Sequence, residues 1–146
     1  MPIRLARSLL LVAGDGNGIY DCRSLRPLFE DSSELRSVLQ EKGHGRVLVV
    51  DGGGSRRCAL FGDALGALAV ENGWEGVLIY GCIRGADLLD QLPLGVSALN
   101  THPLKSRKHG QGERDVMITF AGVNFKKDHY LYADNDGIIV ADTKLD

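Results

Sequence analysis

Cysteine is scarce in this chain, and the three present, Cys22, Cys58 and Cys82, stand far apart. Without a Cys-x-x-Cys or Cys/His ligand spacing they support neither a zinc site nor a disulfide framework, and reduced thiols in a cytoplasmic setting are expected. His44, His102, His109 and His129 are equally scattered, which points to loop or surface roles rather than metal binding. Neither sign of charge dominates, and a formal net charge of −2 offers no global field for nucleic acid. The basic run Lys105, Arg107, Lys108, His109 reads as a solvated loop. No apolar run reaches the length a bilayer demands, so no membrane span is expected. Arg4 and Arg7 precede an apolar stretch, Leu9 to Ala13, that is short for a signal peptide and lacks a small-residue cleavage site, so it reads as a buried strand. No internal repeat and no low-complexity segment is present.

What is there fits one domain with a sizeable core: 146 residues, a quarter of them charged. Ser32 or Ser33 can cap a helix to about Lys42, with Leu35, Val38 and Leu39 on one face. Arg46 to Val50 is a valine-rich strand opening onto a glycine cluster. A second helix follows from Asp63 to Glu71, then a strand from Gly76 to Tyr80, a short helix from Ala86 to Gln91 and a strand around Val96 to Leu99. This alternation predicts βαβ units with parallel strands. Beyond them, Val116 to Phe120, Val123 to Phe125, Tyr130 to Tyr132 and Gly137 to Val140 are short strands with turn residues at Ala121-Gly122 and Asn135-Asp136-Gly137, which predicts an antiparallel, β-rich C-terminal layer.

Three features can carry chemistry, and each has a plainer alternative. Asp51-Gly52-Gly53-Gly54 follows a buried strand, where ligands bind in open α/β sheets; the alternative is a turn needing positive φ. Gly62-Asp63-Ala64-Leu65 opens a helix, whose free N–H groups suit a small carboxylate; Asp63 can instead serve as the N-cap. Arg84, past the next strand, can clamp a carboxylate or keto acid with parallel hydrogen bonds, or pair with Asp87 on the surface. All three leave equivalent edges of neighbouring βα units and should converge on one mouth. Gly14-Asp15-Gly16-Asn17-Gly18 lacks the full G-x-G-x-x-G spacing and opens no helix, so it is not read as a cofactor loop. Cys82 is read as a small hydrophobe and Trp74 as a plug at a helix-to-strand corner.

Arg46 through Ser55, Gly62-Asp63, Asn72-Gly73-Trp74-Glu75-Gly76 and Gly81-Cys82-Ile83-Arg84 together resemble the family of the regulator of ribonuclease E activity A and the 4-hydroxy-4-methyl-2-oxoglutarate aldolases. Gly95-Val96, Gly112-Glu113, Phe120-Ala121-Gly122-Val123 and Leu131 to Ile138 extend the same pattern. The resemblance covers residues 29–146, whereas residues 1–28 do not match the family's usual opening and are read as a divergent N-terminal segment of the same single domain. That segment leaves the true start of the chain open, and a missing edge of the sheet is expected there.

The resemblance implies an α/β fold, a swivelling β/β/α-type domain, assembled as a homotrimer. It implies a carbon–carbon lyase that uses a divalent cation, magnesium or manganese, to cleave 4-hydroxy-4-methyl-2-oxoglutarate to pyruvate and to decarboxylate oxaloacetate. The backbone at Gly62, Asp63, Ala64 and Leu65 would hold the keto acid and Arg84 would polarise its keto group. The catalytic members' aspartate after that arginine is replaced here by Gly85, with Asp87 and Asp90 as stand-ins for the lost carboxylate. The alternative implied by the same departure is a non-catalytic regulator docking on an RNA-degrading enzyme. The family's methyltransferase label finds no cofactor loop in this sequence.

Overall fold

The computed structural model describes residues 4–6, 10–13, 18–27, 32–106, 112–134 and 136–145, with side chains from Ser32 onward except Asp134. Three strands open the chain: β1 (Arg4–Ala6), β2 (Leu10–Ala13) and β3 (Gly18–Pro27). Then come α1 (Ser33–Leu39), β4 (Val47–Val50), β5 (Ala59–Phe61), α2 (Asp63–Glu71), β6 (Gly76–Ile83), α3 (Ala86–Leu89) and β7 (Gly95–Thr101). The last third holds β8 (Gly112–Arg114), β9 (Ile118–Phe120), β10 (Val123–Phe125), β11 (Tyr130–Asp134) and β12 (Gly137–Ala141).

Among the described residues the main sheet runs β1-β12-β11-β3-β4-β6-β7-β2, with β5 on β6 and β8 on β3. Its centre, β3-β4-β6-β7, is parallel, and β11 and β12 extend it antiparallel. The expected βαβ core and antiparallel C-terminal layer are both present. The sheet divides two cores because strand side chains alternate between its faces. Leu48, Val50, Val77 and Ile79 pack with Leu35, Leu39 and Ala69 of the helices. Val47, Val49 and Leu78 pack with Ile118, Phe120, Val123 and Phe125 of the β9–β10 hairpin. Burying each such aliphatic side chain contributes roughly 1.5–3 kcal/mol. Helices on one face and a hairpin on the other make a β/β/α layering.

The hairpin turns on Ala121 and Gly122, both at positive φ (51° and 74°), the combination a two-residue turn between twisted strands requires. Trp74 is buried and donates its indole N–H to the Glu41 carbonyl at 3.0 Å, with the Arg46 guanidinium 5.3 Å above the ring, so it does close the corner between α2 and β6.

Four strands escape the sequence pattern. β3 alternates only over Tyr20 to Arg23 and ends in Arg26 and Pro27, yet it pairs with β4 on one side and β11 on the other along its length. Neighbouring strands, not its own periodicity, dictate its conformation. β1, β5 and β8 are three residues each, too short for a period of their own to register. The N-terminal segment does supply an edge of the sheet, since β2 pairs antiparallel with β7. α3 stops at Leu89 rather than Gln91. The Gly14-to-Asn17 turn, Asn135 and the basic residues Arg107, Lys108 and His109 lie outside the described residues.

His129 sets a pH dependence. Its Nδ1 is buried without a partner among the described residues. Burial, opposed by Asp142 and Asp128 and reinforced by Lys126, holds its pKa below the ordinary 6.5. The unfolded chain therefore takes up this proton at higher pH than the fold does. Stability is full above the unfolded pKa and declines as pH falls through it. His129→Gln should flatten the loss of Tm between about pH 7.5 and 5.5; an unchanged slope in thermal melts would assign the dependence elsewhere.

Candidate active site

The parallel strands β5 and β6 end side by side, and the Arg84 amide donates to the Phe61 carbonyl at 2.9 Å. That pairing brings the start of α2 and the residue after β6 to one edge of the sheet. There a cleft of about 280 Å³ is lined by Gly62, Ala64, Leu65 and Arg84, together with Arg36 from α1 and Lys105 from the segment after β7. Ser32 and Ser106 complete that wall, and their hydroxyls are hydrogen-bonded at 2.7 Å.

Of the residues expected to bind substrate, Gly62, Ala64, Leu65 and Arg84 line this cleft. Asp63 is not among its lining residues. It does not act as the N-cap: Gly62 holds that position in extended conformation, and no side chain caps the helix. The first-turn N–H groups of α2 are therefore left for an anion. Arg84 makes no ion pair with Asp87 among the described residues, which leaves its guanidinium available.

Arg84 lies directly over Gly62. A Cβ at Gly62 would sit 3.1 Å from Arg84 Cγ and 3.2 Å from Nε. Gly62→Ala keeps an allowed backbone, since φ is −145°, but displaces the guanidinium by a few tenths of an ångström. Because misplacement by about 1 Å can cost a hundredfold, the expected loss in kcat/KM is roughly three- to tenfold with Tm unchanged. Steady-state kinetics beside a thermal melt would check this; full activity would show that Arg84 is free to adjust.

The third expected feature behaves differently. Asp51-Gly52-Gly53-Gly54 does not line this cleft. A Cβ at Gly52 would fall 2.2 Å from Leu60 Cδ1 and 2.8 Å from the Tyr80 carbonyl oxygen. Gly54, at φ 71°, donates its amide to that same carbonyl at 3.0 Å. These glycines let the loop press against β6, so their role here is close packing. The turn alternative holds for them, and the three features do not converge.

Gly85 adopts a left-handed conformation, φ 65° and ψ 40°. A Cβ there would lie 2.8 Å from Asp63 Oδ1, so the Asp63 carboxylate faces the space an aspartate at 85 would fill. Asp87 and Asp90 are exposed. No three of the acidic, histidine and cysteine side chains among the described residues assemble as metal ligands, so neither stand-in completes a set with Asp63. The donor set does not fit a fully protein-ligated transition metal. It does fit a magnesium-like ion, which keeps most of its water and takes one or two carboxylates. Cys82 is buried, and desolvation pushes its thiol up against a smaller lowering by Arg56, so it is no nucleophile at neutral pH. His102 Nδ1 accepts the Leu104 amide at 3.0 Å and is occupied structurally.

What sequence reasoning missed at this site is its second wall, Ser32, Arg36, Lys105 and Ser106. Arg36 and Lys105 are 69 positions apart in the chain, and nothing in their local sequence links them.

The family profile described as RraA-like, Aldolase/RraA, matches residues 23–140. The chain belongs to the RraA-like family. A relative in Laribacter hongkongensis, named "Putative 4-hydroxy-4-methyl-2-oxoglutarate aldolase", is 61% identical over 118 residues, covering 81% of this chain and 74% of its own length. One in Methylococcus capsulatus with the same name is 48% identical over 144 residues, 99% of this chain and 89% of its own. Among solved RraA-like structures, that of the RNA-processing inhibitor RraA from Thermus thermophilis superposes with TM-score 0.93 at 39% identity, covering 99% of this chain and 88% of that one. Another from Geobacillus kaustophilus, titled an S-adenosylmethionine:2-dimethylmenaquinone methyltransferase, gives TM-score 0.93 at 40% identity, with 98% and 89% covered. One RraA-like fold thus carries three functional labels, and the choice among them falls to the site. No helix among the described residues is long and apolar enough to cross a membrane.

Proposed function

We propose that this RraA-like protein is a carbon–carbon lyase that cleaves 4-hydroxy-4-methyl-2-oxoglutarate to pyruvate and decarboxylates oxaloacetate. The observation that carries the reading is the Arg84 guanidinium lying over Gly62 at the open N-terminus of α2. The amides at Gly62, Asp63, Ala64 and Leu65 suit the C1 carboxylate of a 2-oxo acid, and Arg84 suits its keto oxygen. On loss of the C4 hydroxyl proton the C3–C4 bond breaks, and its electron pair enters the C2–C3 bond. Negative charge then collects on the C2 oxygen. A guanidinium already aimed there stabilises that enolate more than the ground-state ketone, which is what lowers a barrier. Protonation at C3 releases pyruvate; in oxaloacetate, loss of carbon dioxide leaves the same enolate.

Asp63 is the side chain that would hold a magnesium or manganese ion, whose chemistry when bound is Lewis-acid polarisation of the keto oxygen. The names of the relatives support the lyase reading, and the buried thiol of Cys82 is consistent with a cytoplasmic site of action. A homotrimer is the assembly we propose with it.

The test is pyruvate formation from oxaloacetate and from 4-hydroxy-4-methyl-2-oxoglutarate, with magnesium or manganese and with a chelator. Cation-dependent release from both supports the lyase. Absence of release from folded protein favours the second reading, a regulator docking on an RNA-degrading enzyme. Two observations favour that reading: Gly85 in the aspartate position, and the 39% identity to the Thermus inhibitor.

A further inference from the structure

The cleft has a cationic wall that binding of a 2-oxo acid headgroup leaves unused. Arg36 projects from α1 and Lys105 from the segment after β7, and both line the same 280 Å³ space as Arg84. Their backbones are held firmly. Lys105 sits in a parallel bridge with Ala59, flanked by hydrogen bonds from the Ala59 amide to the Leu104 carbonyl at 2.7 Å and from the Ser106 amide to the Ala59 carbonyl at 3.0 Å. The Ser106 hydroxyl then ties this segment to Ser32, beside the start of α1.

The described acidic residues of α1 and its end, Glu34 and Glu41, are engaged elsewhere. Glu34 and Glu41 both receive Arg114 of β8, which also donates to the Ser37 hydroxyl at 2.6 Å. Neither Arg36 nor Lys105 has an ion pair among the described residues. Both side chains are exposed, and with no anionic partner among the described residues two like charges lining one small cleft favour a bound anion between them. They belong to elements other than those carrying Gly62 and Arg84, so the cleft draws its cations from separate segments of the chain.

We infer that Arg36 and Lys105 form a second anion subsite, one that selects dicarboxylate 2-oxo acids over monocarboxylates by binding the carboxylate distal to the keto group. This subsite rests on the reading of Arg84 and the α2 N-terminus as the 2-oxo acid site. It adds what that reading leaves open, the basis for preferring a substrate with a second acidic end. Fixed stems and mobile charged tips suit ligands of slightly different length.

The test is calorimetric binding of pyruvate and of 2-oxoglutarate, one carboxylate against two, to the full chain in buffer containing magnesium. The wild-type protein should bind 2-oxoglutarate at least about tenfold more tightly, as expected for one added charge-assisted contact. Arg36→Met with Lys105→Met, which keeps the apolar stems, should bring 2-oxoglutarate down to the pyruvate affinity while leaving pyruvate binding unchanged. Arg36→Lys with Lys105→Arg should restore the preference. A preference that survives the double methionine variant, or its absence in the wild type, would overturn the subsite. Equal loss for both ligands would overturn it too, by showing damage to the headgroup site. Arg84→Ala separates the two ideas. If it abolishes pyruvate binding, the headgroup reading stands independently of the distal subsite; if pyruvate still binds, that reading fails whatever Arg36 and Lys105 do.

Discussion

Arg84→Ala should lower kcat/KM for pyruvate formation by about 100- to 1,000-fold, the range found when a donor to a developing oxyanion is removed. The loss should appear in kcat as well as in KM, because the contact strengthens only as charge moves onto the keto oxygen. Stability should change by no more than about 0.5 kcal/mol, since Arg84 is half-buried and makes no ion pair among the described residues. Arg84→Lys should recover only part of the rate, because an ammonium is a point charge and cannot reproduce the planar fork over Gly62. Kinetics with both substrates, paired with a thermal melt, would decide the matter. An alanine variant within threefold of wild type would remove Arg84 from the chemistry.

Gly85→Asp should raise affinity for magnesium or manganese by on the order of 10- to 100-fold, the scale on which residues supporting a metal site act. The backbone is at φ 65°, a region aspartate tolerates better than most residues, at a cost of about 1–2 kcal/mol. Its Cβ would meet Asp63 Oδ1 at 2.8 Å, so the Asp63 side chain must swing aside and two carboxylates then share one edge of the cleft. Without cation they repel, and the variant should melt below wild type. With cation they share its charge, and the melting temperature should rise more steeply with added metal than in wild type. Turnover should rise with occupancy. A folded variant that binds cation tightly yet turns over no faster would show that Gly85 is not what limits this protein.

Much of the fold was legible from apolar periodicity. Leu35, Val38 and Leu39 repeat at helical spacing and are buried, and the valine run in β4 alternates between two cores. Asp63 to Glu71 is helical over the range its pattern predicts. β3 was not read as a strand, since its alternation is confined to Tyr20 through Arg23; pairing with β4 and β11 extends it over ten residues. The site was legible in part. Arg84 and the Gly62-to-Leu65 turn follow strand ends, where parallel sheets place ligands. The glycine run at Gly52 to Gly54 meets the same rule and yet packs on Leu60 and Tyr80.

By itself the sequence determined the layered α/β class and the family, because these depend on local periodicity and ordered motifs. Tertiary structure decided which residues share the cleft. Arg84 lies on Gly62 only because β5 and β6 end together, Asp63 faces Gly85 rather than capping its helix, and Arg36 of α1 and Lys105 after β7 line one cleft. Such juxtapositions follow from strand pairing between distant segments, and no local pattern encodes the distance between two side chains held on different strands and helices.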